Sequence, residues 1–75
     1  MAETLAMPKV GGTYRHYKGT EYKILAIAKH SETEEEMVIY QDTLHPEKIW
    51  ARPVAMFMEE IEWEGKRMPR FIYLG

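Results

Sequence analysis

Seventy-five residues, 45% hydrophobic and 12% aromatic, hold one domain, and a domain of that size buries only about 60% of its unfolded surface, which excludes a deep enclosed active site. The absence of cysteine excludes disulfides, thiolate catalysis, iron–sulfur clusters and cysteine-based zinc sites. No apolar run nears the roughly 18 residues of a membrane helix, and Met1-Ala2-Glu3-Thr4-Leu5 lacks the basic-then-apolar order of a leader, so the expectation is a cytoplasmic, untargeted chain without membrane contact.

The net charge of −2 conceals a segregation. Residues 1–29 carry five bases against two acids, residues 30–64 carry two bases against ten acids, and the tail adds Lys66, Arg67 and Arg70, so the ends are each +3 and the middle is −8. Sequence-independent nucleic-acid binding draws its affinity from phosphate neutralisation and calls for a basic excess. The overall balance disfavours it and leaves only a patch formed by the two ends.

Along the chain, residues 1–10 read as a flexible arm with no periodicity, and residues 11–75 as a single small β domain opened by Gly11-Gly12. Thr13–Tyr17 is rich in β-formers and stops at the turn signal Lys18-Gly19-Thr20-Glu21. Tyr22–His30 contains an apolar run without clean alternation, which fits a strand covered on both sides or bent, or equally a short buried helix; the flanking turns favour strand. Ser31–Glu36 is a polar connection, Met37–Gln41 the next strand, Asp42–Glu47 a turn and Lys48–Ala51 a short strand closed by Arg52-Pro53. Proline opening a helical turn predicts one over Pro53–Phe57. Glu59–Trp63 and Arg70–Leu74 are expected to pair across the loop Glu64-Gly65-Lys66. The fold expected is mainly β: a small SH3-like barrel or a strongly bent antiparallel sheet of five to six short strands with that one helical turn.

Candidate chemistry is confined to a few side chains. His16, His30 and His45 are the only imidazoles, and no pair has the spacing that places two metal ligands on one element, so no metal site and no cofactor is expected. His30-Ser31-Glu32 places a base, a hydroxyl and an acid in succession, but neighbours on an extended segment alternate sides, which is poor geometry for a relay. No catalytic residue is assigned. Trp50-Ala51-Arg52-Pro53 with Met56-Phe57 is the densest mix of aromatic, cationic and soft apolar groups, suited to a carboxylate, a phosphate or a peptide. In so small a domain Trp50 and Phe57 also serve simply as core. Arg52, between buried neighbours, calls for an anionic or carbonyl partner, and the Glu32–Glu36 loop is the obvious internal source. Tyr14, Tyr17, Tyr22 and Tyr40 fill a core or, if exposed, stack bases.

The segments Gly12–Gly19, Ala28–Thr33, Val38–Tyr40, Trp50–Pro53, Met56-Phe57 and Pro69–Phe71 resemble, in order and spacing, the domain of unknown function 1653 family, a group of short, mostly bacterial proteins. The resemblance runs from Gly11 to Phe71 and implies a compact β-rich domain without an assigned activity. Its motif words include His16, His30, Glu32, Tyr40, Trp50, Arg52 and Arg70.

The function expected is a non-enzymatic binding module for an anionic or peptide ligand, in a groove lined by His16, Tyr17, His30, Glu32, Tyr40, Trp50, Arg52 and Arg70. The partner is a protein, a peptide or an anionic small molecule, and the chain is a monomer or a weak homodimer. The alternatives are nucleic-acid binding through the basic ends and exposed tyrosines, a small hydrolytic or metal-dependent enzyme in which His16 and His30 converge, and a docking role for a methionine patch.

Overall fold

The structure, a computed structural model, describes residues 7–75; residues 1–6 of the expected arm lie outside it. Residues 7–10 are held against the sheet. Pro8 is buried and the Lys9 N–H donates to Tyr14 Oη at 3.0 Å.

The elements run β1 (Thr13–His16), β2 (Glu21–Lys29), β3 (Glu36–Asp42), β4 (Ile49–Pro53), α1 (Val54–Phe57), β5 (Glu60–Trp63), β6 (Lys66–Pro69) and β7 (Phe71–Tyr73). Five of them make one antiparallel sheet in the order β4-β3-β2-β1-β7, and β5 and β6 form a separate hairpin. β4 and β7 are the two outer edges and do not pair, so the described residues form no closed barrel, and the SH3-like barrel among the expectations is not what they build. The mainly β architecture is as expected, but the described residues form seven strands in open antiparallel sheets rather than five or six, with one helical turn over Val54–Phe57. Pro53 sits one position earlier than the N1 reading of the sequence, as the residue preceding the first helical one, with φ −57° and ψ 140°.

The extra strand arises at the last turn. Glu64 (φ 54°) and Gly65 (φ 79°) both take left-handed conformations, the requirement of the two-residue type I′ hairpin whose twist matches its strands. Trp63 therefore pairs with Lys66, and Lys66–Pro69 replaces Arg70–Leu74 as the partner of β5. The chain leaves the hairpin after Pro69, and β7 joins β1 with Tyr73 beside Tyr14 and Phe71 beside His16. This return runs close over Gly12, where a Cβ would lie 2.8 Å from the Tyr73 ring.

A β-bulge resolves the ambiguous run in β2. Pairing with β3 shifts between Ile24 and Ala26, so Leu25 is the extra residue: Ile24 faces Tyr40, Ile27 faces Val38, and Leu25 is left exposed. Without the bulge, period-two alternation would send Ile24 and Ile27 to opposite faces. With it, both join the core.

That core lies on one face of the sheet under α1. It comprises Tyr14, Ile24, Val38, Tyr40, Val54, Phe57 and Phe71, with Tyr22 and Ile27 packed against it. Phe57 and Phe71 stack with centroids 4.0 Å apart and planes within 5°, and Tyr14 and Tyr40 meet Phe57 edge-on at 5.4 and 5.6 Å. Such pairs add roughly 0.5–1.5 kcal/mol each beyond the area they bury. No helix among the described residues is long and apolar enough to cross a membrane.

The bulge separates two neighbouring apolar residues energetically. Ile24→Ala is expected to cost about 2–5 kcal/mol as a core truncation, and Leu25→Ala under about 1 kcal/mol, in urea-unfolding midpoints of the two variants. Equal costs would show that Leu25 shares the core and that the bulge is misplaced.

Candidate functional site

At the end of the sheet where β1 finishes and β2 begins, the concave face opens into a cleft of about 200 Å³ lined by His16, Tyr22, Tyr40, Trp50, Arg52 and Phe71. Register places these side chains together. Tyr40 lies opposite Trp50, Val38 opposite Arg52 and His16 opposite Phe71, so alternate residues of β1, β3, β4 and β7 share one face.

Arg52 is the electrostatic centre. Its Nε donates to Tyr40 Oη at 3.1 Å and its guanidinium carbon lies 5.8 Å from the centroid of the Phe71 ring. Both contacts fix the planar fork, and neither neutralises it. Among the described residues the ion pairs are His45–Glu47, Arg67–Glu60 and Arg70–Glu59, so Arg52 has no carboxylate. The Glu32–Glu36 loop does not supply one: it closes the β2–β3 hairpin through its own backbone, with the Glu34 N–H donating to the His30 carbonyl and the His30 N–H to that of Glu35.

His16 packs edge-on to Phe71 at 5.0 Å and lies against Tyr17 at 4.4 Å. Its Nδ1 accepts the Lys18 N–H at 3.2 Å, which puts the proton of the neutral ring on Nε2 and makes that atom a donor. Partial burial, reinforced by the positive charges of Arg52, Arg70 and Lys18, holds the imidazole pKa below its usual 6.5. Tyr22 moves the other way: burial, then the nearby Asp42 carboxylate, raises its phenol and keeps it neutral. The cleft thus gathers the Arg52 guanidinium, the His16 Nε2–H, the half-exposed Trp50 indole and an apolar wall. No carboxylate is among its lining residues.

The other expected residues divide. Tyr17 touches His16 and meets Trp63 edge-on at 5.5 Å, forming the shoulder of the cleft. Arg70 is committed to the fold: Nε donates to the Met56 carbonyl at 3.2 Å and Nη2 to Glu59 Oε1 at 3.0 Å, tying the start of β7 to the end of α1. His30 and Glu32 lie in the β2–β3 turn, beyond the far end of β2 from His16, with nine strand residues at roughly 3.3 Å each between them. His30 Nδ1 accepts the N–H groups of Glu32 and Thr33 there, as a local turn residue does. His16 and His30 therefore do not converge, and no group of three metal-ligating side chains gathers among the described residues. Tyr14 and Tyr40 are buried in the core and unavailable for stacking bases. The methionine patch is divided as well, with Met7, Met56 and Met58 exposed and Met37 and Met68 half-buried.

Sequence reasoning passed over Tyr22 and Phe71 as parts of this site. Phe71 adjoins Arg70 and was legible only as a β-former, because its role depends on β7 pairing with β1. A larger, open cleft of about 600 Å³ lies between the β1–β2 and β3–β4 turns, lined among others by Lys18, Glu21, Asp42 and Leu44. Its charges are mixed, and Asp42 Oδ1 is already occupied by the N–H groups of Leu44 and His45. The smaller cleft holds the uncompensated charge.

A small open antiparallel β domain with one cationic–aromatic cleft is thus defined. The family model described as "Protein of unknown function (DUF1653)" matches residues 12–73, and the chain belongs to that family. A crystal structure of a DUF1653 protein from Bordetella bronchiseptica is 33% identical, with 93% of this chain and 94% of that one covered at a TM-score of 0.81. No curated protein matches the chain.

Two consequences are measurable. A histidine whose folded pKa lies below the unfolded value adds stability above pH 6.5 that is lost as pH falls through the lowered folded value. Urea midpoints from about pH 7.5 down to 5 should fall more steeply for the wild type than for His16→Gln, and parallel curves would remove the desolvated imidazole from the account. Arg70→Ala, which loses a half-exposed ion pair and a bond to the Met56 carbonyl, should cost about 1–2 kcal/mol, whereas Arg52→Gln, which retains an N–H for Tyr40, should cost under about 1 kcal/mol.

Proposed function

We propose that this domain is a binding module that receives a carboxylate or phosphate group in the His16–Trp50–Arg52–Phe71 cleft. The single observation that supports this reading is Arg52: half-buried, oriented by Tyr40 Oη and the Phe71 ring, and without a carboxylate among the described residues. A guanidinium so placed has paid part of its desolvation and ordering cost before any ligand arrives, and its free edge suits a planar anion bidentately.

Size sets the scale of the ligand. A cleft of about 200 Å³ is below the roughly 300–1,000 Å³ of sites that enclose a drug-sized molecule, so it takes one head-group or one acidic side chain. The exposed Trp50 indole provides a surface for whatever carries that group. Nucleic-acid binding draws less support, because Arg67 and Arg70 at the basic end already pair with Glu60 and Glu59.

The test is a titration of the isotope-labelled chain with acetate and with inorganic phosphate at low salt, followed by NMR at the His16 ring, the Trp50 indole N–H and the Arg52 Nε–H. Saturable shifts at these three are expected, weakened at least about tenfold in Arg52→Gln. His16 should become easier to protonate in the bound state, so affinity rises as pH falls. Shifts scattered over exposed lysines, or none, would overturn the reading.

A further inference from the structure

The outer edge of β4 is a second uncommitted feature of the fold, and it borders the cleft. β4 pairs only with β3 among the described residues, and its residues Ile49, Trp50 and Ala51 are exposed. Antiparallel pairs alternate between residues that exchange both backbone bonds and residues that exchange none. The Asp42 N–H donates to the Lys48 carbonyl at 3.1 Å, so Lys48 faces β3. Counting along the register from there, Trp50 and Arg52 also face β3, while Ile49, Ala51 and Pro53 turn their backbone groups outward. Pro53 fits this parity, because a proline is tolerated where its missing N–H would have faced away from the sheet. The open edge therefore offers two donors, the Ile49 and Ala51 N–H groups, and two acceptors, the carbonyls of the same residues, while the Pro53 carbonyl belongs to the start of α1.

Natural sheets blunt such edges with charge, bulges or a covering segment. Among the described residues β4 has neither a bulge nor a paired outer strand, Ile49 is 53% exposed, and its one charged side chain, Arg52, lines the cleft. The same strand thus supplies an unpaired backbone ladder and the cation of the anion cleft.

We infer that the anionic group taken by the cleft is an acidic side chain on an extended peptide segment, which adds to the sheet as a further strand along β4. The inference rests on the reading of the Arg52 cleft as an anion site and names the carrier. Strand addition of this kind draws affinity from backbone bonds and specificity from alternate side chains. A segment about 4.8 Å from β4 puts every second side chain on the concave face beside Trp50 and Arg52, and the others beside Ile49 and Ala51 on the opposite face. The complementary pattern is therefore acidic and apolar in alternation. Charge complementarity favours it on the concave side, where Arg70 and Lys18 add to the positive field around His16.

The experiment uses the labelled chain and acetyl-Val-Glu-Val-Glu-Val-amide, with amide exchange at Ile49 and Ala51 as the readout. The peptide should protect both amides and shift the Arg52 Nε–H, and its Gln-for-Glu version should bind at least about tenfold more weakly. Two further versions, N-methylated at the valines or at the glutamates, block opposite edges of the peptide. Loss of binding in one version only is expected, the valine version for an antiparallel strand and the glutamate version for a parallel one. Loss in both or in neither overturns strand addition. Ala51→Pro removes an outward donor and should abolish peptide binding while phosphate still shifts Arg52; if that variant does not fold, the methylated peptides decide. Phosphate shifts without protection of Ile49 and Ala51 would overturn the carrier and spare the cleft, and no shift with either probe would overturn both. Protection of those amides without peptide, growing with protein concentration, would assign the edge to a second copy of this chain and overturn the proposal.

Discussion

The stack of Phe57 on Phe71 is the contact on which the rest of the structure depends. An open sheet of five short strands has no inside of its own, and one face must be covered by something the chain carries across it. Here the cover is a single helical turn of four residues, far too short to be stable by itself. It persists because Phe57 lies flat on Phe71 at 4.0 Å while Tyr14 and Tyr40 close on Phe57 from the sheet. Arg70 reinforces the same junction by bonding the Met56 carbonyl and Glu59 across the gap between α1 and β7. Cover and edge strand are held together at two adjacent residues, and the core forms between them.

Phe71 also joins the core to the cleft. One part of its ring is packed in the stack, while His16 meets it edge-on and the Arg52 guanidinium lies over it at 5.8 Å. The cleft is consequently built on a rigid wall, and the two donors beside it are oriented by the same ring that seals the core. This explains how a domain too small for a cavity can still hold a preorganised charge. The two arginines whose charges reach His16 have different commitments: Arg70 donates to a carbonyl and a carboxylate of its own chain, and Arg52 donates to a phenol and has no carboxylate among the described residues.

What the sequence made legible was local. The strand-forming runs from Thr13 to Ala51, the turns between them and a helical turn beside Pro53 follow from propensity and composition, and the structure has strands and a helical turn there. Three features depended on events at a distance. The bulge at Leu25 is set by what β3 presents to β2, so the run Ile24-Leu25-Ala26-Ile27 carried no alternation from which to read it. The exit from the last hairpin was hidden because both Lys66–Pro69 and Arg70–Leu74 could follow a turn at Gly65, and only the two-residue geometry with Glu64 in a left-handed conformation selects the first. His30 and Glu32 were grouped with His16 on residue type alone, and the length of β2 separates them.

The shape of the site follows from the open sheet. A closed barrel would pair β4 with another strand, bury its outward N–H and carbonyl groups in a ladder and leave the cleft as an isolated dimple. With β4 at the edge, Trp50 and Arg52 face the cleft from a strand whose outer backbone edge pairs with no strand among the described residues, so an unpaired charge and an unpaired backbone edge share five residues. Either feature alone is weak: an isolated half-exposed ion pair is worth about 0–1 kcal/mol, and a two- or three-residue ladder little more than the same number of net hydrogen bonds. Their coincidence on β4 is what the proposed peptide would use: one extended segment would engage both, with its ordering cost offset once rather than twice.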